Sequence, residues 1–228
     1  MWQKSVEHQG LYTASYQVPG FTAQSIAIKQ ADENYLIYSA GCGLAKSFQE
    51  EVGSISYLLM PNQFHHLGLK EWTQHFPEAK ILSAGAFADK FSKKTDLSIK
   101  DWKTVESALP ETLEIVEVPG LKTGELMLKL RHKDCLTYFI CDIFFNMEEL
   151  PKHWLYKNLL KLMKAGPGLK ISRLMTGIGM SDKKAVGKFL IKILDEEKPD
   201  IISPQHGTAL KGEAGREALK SILRERLL

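Results

Sequence analysis

Residues 54–69 read SISYLLMPNQFHHLGL, and the rest of the chain is arranged around them. The apolar run 55–60 predicts a buried strand. Pro61 and Asn62 end it, because proline cannot donate to a ladder and asparagine favours turns. His65 and His66 follow within six residues; then comes Gly68, and Leu69, Trp72 and Phe76 resume with helical spacing. Where helices cover a sheet, chemistry collects at the loops that leave the strands. Two adjacent imidazoles at such a point are a candidate metal or acid–base site. The plain alternative is coincidence, since the chain holds 7 histidines.

Before this stretch, the pattern predicts strands over 11–18, 21–29 and 35–39, with Pro19-Gly20 and residues 32–34 as turns. Gly41 and Gly43 break the chain ahead of a polar helix over 44–52. After it, 79–82 reads as a short strand and 84–91 as a helix. Residues 92–111 are charged and irregular, and read as surface.

A second β block begins at 113–118 and turns at Pro119-Gly120. Residues 126–130 alternate apolar with polar, and 132–134 turn the chain into 135–141, CLTYFIC. Such a nearly continuous apolar run predicts a strand covered on both faces, and its end delivers Asp142. An acid directly after a buried strand is costly unless it is paired, solvated or bound to a metal. Capping the next turn is the ordinary alternative.

Residues 154–164 are helical by spacing, and AGPGLK at 165–170 reads as the clearest loop. Neither it nor TGIGM at 176–180 carries the lysine and hydroxyl spacing of a phosphate loop. Ser181 is the expected N-cap of a helix to 197, with Val186, Phe189, Leu190, Ile193 and Leu194 forming its apolar stripe. A very short strand at 201–202 exits through SPQHG, which carries His206, and a helix over 213–228 closes the chain.

The 228 residues, 44% of them hydrophobic, suffice for one large domain over 1–228. A net charge of +3, spread along the chain, argues for neither nucleic acid nor an anionic membrane as partner. The opening MWQKSVEHQG has no signal-peptide core, and no apolar run reaches membrane-spanning length. Cys42, Cys135 and Cys141 make no C-x-x-C pair, so the expectation is a cytoplasmic protein with reduced thiols and a small-molecule substrate.

Three strand ends thus deliver His65 with His66, then Asp142, then His206. Imidazoles with one carboxylate suit zinc, iron or manganese better than magnesium or calcium. Neighbouring side chains on an extended chain point apart, so His65 and His66 can share an ion only if their loop is bent.

The order of these pieces resembles the metallo-beta-lactamase fold superfamily, in a divergent branch. Members carry H-x-H-x-D-H and glycine after a buried strand. Aligned on Gly68, those motif positions here hold Pro61, Gln63, His65 and His66, and only the last matches outright. The family's P-G-H-T-x-G loop corresponds to PGLKTG at 119–124, with Leu121 in or beside the histidine's place. Asp142 matches the bridging acid, and PQHG at 204–207 matches the closing P-x-H-G.

The resemblance implies a four-layer αββα sandwich of two mixed sheets. It also implies that the first metal's three histidines are lost, while the second metal's positions keep potential ligands. The implied set is one divalent ion, zinc or alternatively iron or manganese, held by His65, His66, Asp142 and His206. The implied function is a single-metal hydrolase using a metal-bound water, with His65 and Asp142 as its catalytic groups. Four protein ligands would fill the open position that catalytic zinc keeps, so His65 is also weighed as a general base. The competing reading is a binding or structural scaffold that has lost its metals.

Overall fold

A computed structural model describes residues 1–18 and 20–228, so the proline of the expected Pro19-Gly20 turn lies outside the described residues. Seven strands run in spatial order along the first sheet: β1 (Gln3–Lys4), β2 (Leu11–Val18), β3 (Phe21–Lys29), β4 (Tyr35–Tyr38), β5 (Ile55–Leu59), β6 (Lys80–Ser83) and β7 (Ile99–Asp101). The early strands pair antiparallel through short turns. From β4 onward the pairing is parallel, because helices α1 (Ala45–Glu51), α2 (Leu69–His75) and α3 (Gly85–Thr95) return the chain each time. The unbroken apolar sequence of β4, YLIY, is buried at all four positions, as a strand covered on both faces requires.

The second sheet runs β14-β13-β10-β9-β8. Its chain order is β8 (Leu113–Glu117), β9 (Leu126–His132) and β10 (Cys135–Ile140). A side hairpin of β11 (Phe145–Met147) and β12 (Gly168–Lys170) follows, bracketing helix α4 (Trp154–Leu162). Then come α5 (Lys183–Glu197), β13 (Ile201–Pro204), β14 (Leu210–Lys211) and α6 (Gly212–Leu227).

Apolar side chains make three packed layers between and outside the sheets. Leu36, Tyr38, Leu59 and Leu82 of the first sheet meet Ile115, Leu126, Leu128 and Phe139 of the second. Phe48, Trp72, Phe76 and Phe91 of α1–α3 cover the outer face of the first sheet. Leu190, Ile193, Leu219 and Leu223 of α5 and α6 cover the outer face of the second. The result is an αββα sandwich. Among the described residues, no helix is long and apolar enough to cross a membrane.

Several local expectations change. Residues 92–111 are not merely surface: they finish α3, supply β7 as a sheet edge, and bury Trp102 and Val105 from a 3-10 helix, Trp102–Ala108. Their charges lie on the outer side of a short edge strand, which hides the pattern. The AGPGLK loop contributes β12, paired with β11. The cap of α5 is Asp182 rather than Ser181; its carboxylate accepts the Ala185 N–H at 3.0 Å. Strand β9 is buried over its first five residues instead of alternating, because Lys129 lies under Glu197 at 2.7 Å and is only 8% exposed.

Candidate metal centre

The loop leaving β5 is tied to the second sheet as it turns. Pro61 O accepts Leu126 N–H at 2.7 Å, and Gln63 N–H reaches Thr123 O at 3.2 Å. Asn62 shapes the turn by accepting Phe64 N–H on Oδ1 at 2.8 Å. Gly68 closes it against the Ala40 carbonyl, where any Cβ would collide with backbone. This bend carries the His65 ring back under the end of β4. There Nδ1 lies 2.8 Å from Ser39 Oγ and 3.3 Å from the Tyr16 hydroxyl.

His206 comes off β13 and is held from the other side. Its Nδ1 lies 2.9 Å from the carbonyl of Thr22. A carbonyl only accepts, so Nδ1 carries a proton, and Nε2 faces inward. Gly207 follows at φ +104°, with Asn146 backbone where a Cβ would stand.

Asp142, two residues past the end of β10, lies between the two rings. His65 Nε2 is 3.3 Å from Oδ2, and His206 Nε2 is 3.2 Å from Oδ1. Asn62 Nδ2 donates to Asp142 Oδ2 at 2.8 Å, and the Asp142 N–H donates to Glu125 Oε2 at 3.1 Å. Burial works against an ionised Asp142, but the His65 charge and the hydrogen bonds from His206 and His65 outweigh it. The carboxyl is held well below its usual range. Burial, reinforced by the Asp142 charge, pushes the neighbouring Glu125 the other way, up to about 8.

Of the four expected ligands, the structure brings three together. His66 does not join them: its Nδ1 turns back to the Gln63 carbonyl at 3.0 Å. Burial, with Lys94 of α3 nearby, pushes its imidazole below the ordinary value. Consecutive residues splay apart even in this bent loop. Cys141 stands close by, with ligand atoms of His65, Cys141 and Asp142 within 4.8 Å of one another. Its thiol belongs to the core between the sheets, and burial pushes it well above the usual range. Of the expected ligands, His65 and His206 thus lie 3.3 and 3.2 Å from Asp142, one at each carboxylate oxygen, and His66 stands apart.

No protein-family model matches the sequence, and no curated protein does. Solved structures do match. A diflavin flavoprotein A 5 fragment from Nostoc superposes at TM-score 0.68 and 10% identity, over 99% of this chain and 97% of that one. A metallo-beta-lactamase from Pontibacter korlensis gives 0.63 and 10%, over 98% and 99%. The chain has the metallo-beta-lactamase fold. The metallo-beta-lactamase FIM-1 from Pseudomonas aeruginosa, solved in a mono-zinc form, also matches at 0.63 and 9%, over 99% and 95%.

On this metallo-beta-lactamase fold, Leu121 bridges to Met180 and packs against the core beneath α5, offering no donor. Tyr16, Ser39, Asn62 and Glu125, which support the centre, did not stand out in the sequence. Asn62 signalled only a turn and Ser39 only a strand end, since their partners lie 80 and 26 residues away.

Proposed function

We propose that this chain is a hydrolase whose single divalent ion is held by His65, Asp142 and His206. One observation supports the reading above others: both oxygens of one buried carboxylate face imidazole Nε2 atoms, while His206 Nδ1 is committed to a backbone carbonyl. That orienting pattern is common behind metal-bound histidines. A bound zinc would act as a Lewis acid and bring the pKa of a water toward 7.

The chain's own residues do the rest. Three protein ligands leave a position free for water and substrate, which a fourth ligand from His66 would have filled. Asn62 fixes the rotation of the Asp142 carboxylate, and Ser39 and Tyr16 fix the His65 ring. Burial, only partly opposed by the hydrogen bond to Ser39, pushes the Tyr16 hydroxyl up, so it remains a proton-bearing group at neutral pH. Pro61, Gln63 and Leu121 supply no anionic or imidazole donor for a second ion, and two close divalent charges repel strongly without such ligands.

A scaffold reading has its own support: Asp142 is already within hydrogen-bonding reach of both imidazoles and Asn62 without any ion. Metal analysis together with ester hydrolysis separates the two. The hydrolase reading predicts one ion per chain and turnover, both lost in His206→Ala. A wild-type chain that takes up no metal and shows no turnover supports the scaffold instead.

A further inference from the structure

A cavity of about 320 Å³ opens onto the metal centre, and its walls are nearly all hydrocarbon. Phe145, Leu160 and Met175 line it as buried residues, while Phe64, Leu67 and Leu159 line it from exposed positions and so form its mouth. Phe64 and Leu67 flank the histidine pair, so one loop supplies both a metal-centre residue and the rim. Leu159 comes from α4, the helix inserted between the two strands of the side hairpin. Among the described residues, polar side chains reach the cavity only at Tyr16, His65, Asp142, Ser172 and His206.

Two features narrow what fits. First, among the described residues no lysine or arginine lines the cavity. An anionic group lodged among the hydrocarbon walls, away from the metal centre, would have no fixed cation beside it, at a cost those walls magnify. Second, large apolar side chains stand in solvent at the mouth: Phe64 is 45% exposed, Leu67 62% and Leu159 47%. Apolar surface gathered around a concave site marks a place where an apolar ligand completes the burial.

We propose, building on the hydrolase reading, that the site takes an uncharged carboxylic ester whose apolar chain fills this cavity and whose carbonyl lies at His65, Asp142 and His206. Hydrolysis adds one water across the acyl–oxygen bond and yields a carboxylic acid and an alcohol. Each methylene that enters the cavity strengthens binding about fourfold, from the transfer of one CH₂ out of water.

The test separates binding from turnover. N-phenyl-1-naphthylamine, a neutral fluorophore that brightens in apolar surroundings, is titrated into the wild type and Leu159→Glu, each checked for folding by circular dichroism. It is then displaced with methyl ketones of increasing chain length, which carry a carbonyl but no bond that water can break. The expectation is that the wild type binds the probe and Leu159→Glu binds it at least tenfold more weakly. Ketones should displace it in order of chain length, about fourfold per methylene. Absence of probe binding, an unaffected Leu159→Glu variant, or no dependence on chain length would each overturn the inference. Probe binding and chain-length order without ester turnover would support the cavity's ligand class and count against the hydrolase reading alone.

Discussion

Asn62 is the residue whose removal tests the construction of the centre most sharply. It is 2% exposed and makes two directed bonds at once: Nδ2 to the Asp142 carboxylate at 2.8 Å, and Oδ1 from the Phe64 N–H at 2.8 Å. A hydrogen bond to a charged group contributes about 1.5–3 kcal/mol, and a neutral one about 1 kcal/mol. Asn62→Ala should therefore cost about 3 kcal/mol in the metal-free protein. With a urea m-value of about 2–3 kcal/mol/M for a chain of this size, the unfolding midpoint should fall by about 1 M. Loss of a partner that orients a ligand should also weaken zinc binding about 10–100-fold. Asn62→Asp keeps the acceptor for Phe64 but sets a third carboxylate beside Asp142 and Glu125, so it should be worse than alanine in the metal-free state. Urea midpoints and zinc titrations on both variants are the assay. A midpoint for Asn62→Ala within about 0.2 M of wild type, or unchanged zinc affinity, would refute the reasoning.

Further expectations follow from other parts of the fold. Trp72 is fully buried among Trp2, Phe48 and Phe76 and donates Nε1–H to the Gly41 carbonyl at 2.8 Å. Trp72→Ala should cost about 3–5 kcal/mol by denaturant unfolding, and a cost under about 1 kcal/mol would contradict the packing described. Gly207→Ala places a Cβ at φ +104° against Asn146 backbone, so a loss of at least about 2 kcal/mol is expected, with weakened metal uptake as His206 shifts. His8 gives a pH dependence: burial, with His132 beside it, pushes its imidazole below the ordinary 6.5. Protonation then costs more in the folded than in the unfolded chain. This contribution is full above the unfolded value and is lost as pH falls through the lower folded one. His8→Gln should flatten the loss of stability between about pH 7 and pH 5, measured as urea midpoints; an unchanged slope would sink the argument.

Much of the architecture was legible because buried parallel strands announce themselves. YLIY at 35–38, ISYLL at 55–59 and CLTYFI at 135–140 are short apolar runs bounded by turn residues, and each forms the expected strand within a residue or two. Strand β7 and the Trp102 helix escaped notice because an edge strand has charged neighbours and a 3-10 turn has no 3.6-residue period. Lys129 misled for another reason. A lysine in a strand suggests a solvent face, yet its ammonium is covered by Glu114 and Glu197, which are distant in sequence. At the centre, positions just past strand ends pointed to His65, Asp142 and His206. The direction of His66 could not be read, because it depends on a loop bent by Asn62, Gly68 and backbone bonds to the second sheet.

The central claim is that one ion, and no second, belongs at the meeting point of His65, Asp142 and His206. Crystals grown with zinc and measured on both sides of the zinc absorption edge test it directly. The account predicts one anomalous peak per chain, within about 2.0–2.2 Å of His65 Nε2, an Asp142 oxygen and His206 Nε2, with His66 outside bonding distance. Two peaks a few ångströms apart, or one peak bound through His66 or Cys141 in place of these three, would contradict it.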